Sequence, residues 1–331
     1  MHVRSRRGRG LAVLPLLLCA CGDAPVPNAT VPPSNAAAPA ARRNASARPD
    51  IVLVSIDSLR ADHLGAYGYA RPTSPGLDRL AANGVRFEWA ISTTSWTLPA
   101  HAALFTGLYD SAHGLVDDGL RLADAHVLLA EMLHDHGYHT AGFFGGPYLH
   151  PIFGFGQGFD VYESCMIPEL ASAASVRADI SSETGHALRD VTGPRTLAAV
   201  TRWLESVDER PFFLFVHLWD VHYDYVPPPE YVLGFDPGYT GTIDGRDYMG
   251  DPAIHAGMPA RDREHVIALY DAEIRFTDDV LARILDALQA RGRLGSAIVV
   301  VTADHGEGLG EHGETTHGML VHDATQRVPL I

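Results

Sequence analysis

The sequence predicts an α/β fold, with a mostly parallel sheet covered by helices on both faces. Three observations carry this. Residues 51–56 (Ile51-Val52-Leu53-Val54-Ser55-Ile56), 212–219 and 296–302 are apolar runs, the pattern of strands buried on both sides. Segments with helical period separate them, as in βαβ units. Each run ends in polar residues, namely Asp57-Ser58, Asp220-Val221-His222 and Asp304-His305-Gly306-Glu307, at the carboxyl ends where open α/β sheets bind ligands.

Taken in order, the chain opens with Arg4, Arg6, Arg7 and Arg9 ahead of an apolar run from Leu11 to Ala20. That run is too short for a stable bilayer span and reads as a signal peptide, residues 1–20. Leu18-Cys19-Ala20-Cys21-Gly22 resembles a bacterial lipobox, with Cys21 as the lipid acceptor. The expected location is therefore the bacterial cell envelope, as a membrane-anchored lipoprotein. Residues 21–49, rich in Ala, Pro, Asn and Ser without apolar period, form a tether.

A globular pattern runs through residues 50–331. Residues 122–136 read as a helix ended by Gly137, and 139–144 as a short strand. Residues 194–207 are helical, with Leu197, Val200 and Leu204 on one face, and Pro211 closes the segment. A long helix spans 261–290, with Val266, Tyr270, Ile274, Thr277, Leu281, Leu285 and Leu288 at helical spacing. Residues 223–260 are rich in Pro, Gly, Asp and Tyr without period, and are expected to rim the site. Residues 327–331 rise into an apolar strand that no turn or polar tail closes, so the catalytic domain reads as truncated, its last edge unpaired.

Composition narrows the function classes. With 331 residues, 46% hydrophobic and 20% charged, the chain buries a sizeable core. It contains no lysine, which excludes Schiff-base chemistry, a P-loop lysine and any lysine anion clamp. Net charge is −15, and residues 1–48 hold seven arginines and one acid, leaving 18 arginines against 39 acids in the remainder, a net −21. A nucleic-acid partner is excluded, whereas carboxylates gathered around cations fit. After processing, with Cys21 lipidated, only Cys165 remains free, so no internal disulfide forms and packing holds the fold.

Three acid-bearing strand ends in one sheet point to a metal site. Oxygen and imidazole donors suit Zn, Mn or Fe, and His305 argues against an all-oxygen calcium cage. The segment from Ser95 to Gly107 adds a nucleophile. Pro99 marks the start of a small-residue helix and places Thr97 at its amino end, where free N–H groups and the dipole favour an anion or alkoxide.

Ordered motifs then give a family resemblance. Residues 51–65, Thr97-Leu98-Pro99-Ala100-His101 leading to Thr106-Gly107, His222-Tyr223-Asp224-Tyr225-Val226-Pro227-Pro228, Thr302 to Glu307, Gly310-Glu311-His312-Gly313 and Arg327-Val328-Pro329-Leu330 resemble the sulfatase family of the alkaline-phosphatase superfamily. The resemblance implies a large mixed, mostly parallel sheet sandwiched by helices, followed by a smaller carboxyl-terminal domain that these residues lack. It also implies departures. Sulfatases place Cys or Ser where Thr97 stands and oxidise it to formylglycine, so no formylglycine is expected here. A threonine there resembles the superfamily's phosphodiesterases and lipoteichoic-acid synthases, whose hydroxyl attacks phosphorus. His101 stands for the family arginine, His317 for the later lysine, and Ser58 for a second carboxylate.

By this resemblance Asp57, Thr97, Asp304 and His305 hold one divalent metal, Zn or Mn rather than Ca. His101, His222 and His317 serve the reaction with Thr97. His222 and His317 either hold the far side of the substrate anion or, with Asp220, bind a second ion, and His312 orients a ligand from behind. The expected activity is metal-dependent hydrolysis or transfer on phosphate or phosphonate esters, the partner being a small or lipid-linked anionic ester. The alternatives are a sulfate-ester hydrolase with unorthodox activation and a lipid-tethered binding protein without catalysis.

Overall fold

The computed structural model describes residues 48–182 and 190–331, so the signal peptide, Cys21 and most of the tether lie outside the described residues. Five strands, β1 (Ile51–Ile56), β3 (His139–Phe144), β4 (Val161–Ser164), β5 (Phe212–Leu218) and β6 (Ile298–Ala303), form a parallel sheet in the order β4-β3-β5-β1-β6. Two short strands, β2 (Ala90–Ile91) and β7 (Arg327–Val328), pair antiparallel beside it. Among the described residues no helix is long and apolar enough to cross a membrane.

The pleat explains why β1 is apolar at nearly every position. Val52, Val54 and Ile56 face one layer, where they join Val200 and Leu204 of helix Gly193–Ser206 and Ile274, Leu281 and Ile284 of the long helix Ala260–Ala290. Leu53, with Phe213 and Phe215 of β5, faces the other layer, under Leu98, Ala102 and Phe105 of helix Thr97–Thr106. Truncating fully buried Phe213 or Phe215 to alanine should cost about 3–5 kcal/mol. Away from the site, Asp50 receives two hydrogen bonds from buried Arg293 (2.7 and 2.8 Å), which also reaches the Asp208 and Arg210 carbonyls and fixes where β1 begins.

Three expectations are corrected. The helix expected over 122–136 forms only at Leu129–Asp135. Leu122 instead donates its N–H to Phe153, and the Glu131 side chain accepts from the Leu128 N–H to start the helix. The third apolar run is not buried throughout: β6 is one of the two outer strands of the five, and Ile298 is half exposed. Nor does the strand at 327–331 lack a neighbour. Val328 pairs with Ala90, Leu330 bridges Thr302, and Ile331 exchanges both backbone hydrogen bonds with Val301 (2.9 and 3.0 Å). That isolated antiparallel bridge flanks the parallel sheet at β6.

Candidate metal centre and active site

Register brings the site together. Ile56 of β1 stands opposite Leu218 of β5 and Ala303 of β6, so three neighbouring strands end at one level. Asp57 and Asp304 are the next residues on two of them, and both are buried. After Asp57 the chain turns through Ser58 at φ 55°, a left-handed conformation uncommon for a residue with a Cβ. The turn aims the Ser58 N–H at Asp304 Oδ1 (3.2 Å) and its hydroxyl at Asp57 Oδ1 (2.8 Å), while Tyr270 clamps the Ser58 carbonyl (2.7 Å). Helix Thr97–Thr106 begins against this floor after an extended Trp96. Its first hydroxyl, Thr97 Oγ1, lies 3.3 Å from Asp57 Oδ2 and 3.2 Å from His305 Nε2.

The four residues expected to hold a metal therefore meet. His305 Nε2 is 3.8 Å from Asp57 Oδ1 and 3.4 Å from Asp304 Oδ2. Asp304 Oδ1 accepts from the His305 and Ser58 N–H groups, but Oδ2 is buried with no hydrogen-bond partner among the described residues. An orphaned buried carboxylate oxygen beside a second buried carboxylate is costly without a cation. The ligand atoms of Asp57, Asp304 and His305 lie within 4.8 Å of one another, so the residues fit a divalent ion. Burial pushes the Asp57 carboxyl up, but the His217 hydrogen bond and the charges of His305, His217 and His317 outweigh it and hold Asp57 well below the usual carboxylate range.

His217 is the residue that sequence reasoning missed. It lies inside β5 opposite Ser55, and its Nε2 reaches Asp57 Oδ2 at 3.2 Å. The available signal was a single imidazole in a strand otherwise apolar on both faces. His101, expected to act on substrate, is instead fully buried behind Thr97. Its Nδ1 donates to the Thr97 carbonyl (2.9 Å), which leaves Nε2 to accept from Ser55 (3.0 Å), and burial holds its pKa down to about 4. His101, His217 and Asp304 form a second, overlapping group of closely spaced ligand atoms under the first.

Above the floor opens a cleft of about 610 Å³ lined by Thr97, His222 and His317 at its base. The His222 and His317 rings lie 5.0 Å apart. Burial lowers the His222 pKa well below its ordinary value. Burial also acts to lower His317, but Glu307, 3.0 Å from its Nδ1, outweighs this and raises it. His312, expected behind the ligands, is exposed and stacks on His322 (4.0 Å) instead.

Residues 49–331 match the Sulfatase family. The chain belongs to the sulfatase family. It is 26% identical over 312 residues to an uncharacterized sulfatase of Escherichia coli K12, covering 86% of this chain and 62% of that one. It is also 26% identical over 298 residues to an ulvan-active sulfatase of Formosa agariphila, covering 86% and 56%. The chain thus spans about three fifths of these relatives. Among solved structures, phosphonate monoester hydrolase of Agrobacterium radiobacter shares the fold, with a TM-score of 0.67, 23% identity, and coverage of 86% of this chain and 67% of that one. Enzymes of the sulfatase family are hydrolases of the alkaline-phosphatase superfamily that use divalent metals.

In this sulfatase-family site Asp220, expected beside His222 and His317 as an alternative ligand of a second ion, is engaged at a helix start. It turns behind β5 to accept the Thr192 N–H (2.6 Å) at the start of helix Gly193–Ser206. Burial raises its pKa to about 7. A carboxyl raised in the folded state binds its proton more tightly there, so its contribution is lost as pH climbs from about 4 to about 7. Asp220→Asn keeps the acceptor and removes the charge. It should raise the melting temperature by several degrees at pH 8 and leave it unchanged near pH 4, as differential scanning calorimetry reads. Equal shifts at both pH values would mean that Asp220 does not titrate in this range.

Proposed function

We propose that this sulfatase-family protein is a metal-dependent hydrolase or transferase of phosphate or phosphonate esters, with Thr97 as nucleophile. The observation that carries the reading is the placement of Thr97 Oγ1 at a helix start, within reach of both Asp57 and His305. Asp57, Asp304, His305 and Thr97 would hold the ion, and its mixed oxygen and imidazole donors favour Zn or Mn over Ca. When bound, such an ion supplies Lewis acidity that lowers the pKa of the Thr97 hydroxyl.

The chain's own residues supply the rest. Thr97 Oγ1 forms a bond to phosphorus as the ester P–O bond on the opposite side breaks. The proton leaving Thr97 is balanced by one gained by the departing alcohol. His317, whose pKa Glu307 raises, faces the non-bridging oxygens and offsets their charge, with His222 packed beside it. Water or an acceptor alcohol then attacks phosphorus and frees Thr97. A threonine offers one hydroxyl and so lacks the second one a formylglycine hydrate uses to expel sulfate, which favours phosphorus over sulfur. Turnover of aryl sulfates ahead of matched phosphodiesters and phosphonate monoesters by the metal-loaded protein would defeat the reading.

The amino-terminal sequence supports anchoring of this enzyme to a bacterial envelope membrane through Cys21. Cys21→Ser should abolish incorporation of labelled fatty acid and release the protein from the membrane fraction. Retained label in that variant would show that another residue is the acceptor.

A further inference from the structure

We propose that the ester handled here carries an apolar alcohol, an alkyl or aryl body that fills the cleft and reaches its lip; this rests on the phosphorus-ester reading above. About 610 Å³ is far more space than the reacting anion at the base requires. Trp96, Tyr148, Trp219 and Tyr223 line it, and the solvent-exposed Met249 and Met319 form its lip. The aromatic walls brace one another. Trp96 meets Tyr148 edge to face with centroids 5.5 Å apart, and Trp219 stacks on His222 at 3.9 Å. These rings present apolar faces at low entropic cost.

The lip is unusual for a surface in contact with water. Met319 is 85% exposed and Met249 57%, and Val321, two residues beyond Met319, is 71% exposed. Flexible, polarizable methionines suit an apolar partner of variable shape. Charge points the same way. No arginine lines the cleft among the described residues, and the chain has no lysine anywhere. A polyanionic saccharide would find none of the guanidinium or ammonium groups it needs among the described lining residues. The cleft is therefore graded, with the His317 imidazole at the floor for an anion and aromatic and methionine side chains for what the anion is attached to.

The test uses the full-length, metal-loaded protein and a series of methylphosphonate monoesters with methyl, butyl, octyl, benzyl and glucosyl alcohols. The first four differ in apolar body but keep an alkoxide leaving group. The expected result is a rise in kcat/KM through KM, approaching fourfold per added methylene that is fully buried and at least tenfold from methyl to octyl or benzyl. The octyl and benzyl arms tell a chain from a ring. Met319→Glu and Tyr148→Ala should each lower the octyl-to-methyl ratio severalfold, with circular dichroism confirming a folded protein. A flat series, or a preference for the glucosyl ester, overturns the inference while leaving the phosphorus-ester reading intact. If no ester of the series turns over, that reading fails. In that case tryptophan quenching of Thr97→Ala by methyl- and octylphosphonic acid still decides the inference, because equal dissociation constants for the two acids would overturn it.

Discussion

Thr97→Ala should lower kcat on the best phosphorus ester by at least about a thousandfold, which is about 4 kcal/mol of transition-state stabilisation. The size follows from the role proposed for the residue, because without Oγ1 the hydroxyl left on the floor is that of Ser58, which is turned onto Asp57. His305 and Asp57, the groups nearest that oxygen, would be committed to the ion. The structural cost should be small. Thr97 is buried, but its side chain contributes one hydroxyl and one methyl at a helix start whose backbone is fixed by Trp96 and Ala100. Losing its hydrogen bonds costs about 1 kcal/mol. Thr97→Ser restores the oxygen and should retain a large share of turnover, which separates loss of the nucleophile from loss of the fold. Quench-flow should trap a phosphorylated wild-type protein and no phosphorylated Thr97→Ala. Activity that survives Thr97→Ala would place the nucleophile elsewhere.

The parts of the site that were legible in the sequence are those a local pattern fixes. Asp57 and Asp304 stand where an apolar run breaks, and a parallel sheet puts such breaks at one edge. Thr97 stands two residues before a proline that marks a helix start. What was not legible depends on direction and long-range pairing. Asp220 also follows a strand, yet its side chain turns behind the sheet to a helix start, a choice that strand-end position alone does not make. His217 lies inside β5 and matters only because β5 lies beside β1, which places its imidazole on Asp57. His101, expected to stand for a family arginine, has a ring that ends at Ser55 and the Thr97 carbonyl and does not line the cleft. The partners of residues 327–331 come from Ala90 and Val301, the former more than two hundred residues away, so no local signal announces them.

Asp304→Asn should reduce bound divalent metal, read by elemental analysis of the purified protein, from about one ion per chain to less than a tenth. Asp57 and Asp304 are both buried on one floor, with His305 Nε2 within 4 Å of each. In so dry a place two negative charges repel strongly unless an ion lies between them. Removing one charge removes most of the attraction for the ion, while the asparagine oxygen still accepts from the Ser58 and His305 N–H groups. The same argument sets the stability response. An ion present at about a thousand times its dissociation constant adds about 4 kcal/mol to the folded state. For a domain of this size, stripping it with a chelator should lower the wild-type melting temperature by on the order of 10 °C. Chelator should barely move Asp304→Asn. The metal-free variant should melt no lower than metal-free wild type, because it carries one fewer uncompensated buried charge. Full metal content in Asp304→Asn, or a metal-free variant that melts well below metal-free wild type, would show that Asp304 serves the fold and not the ion.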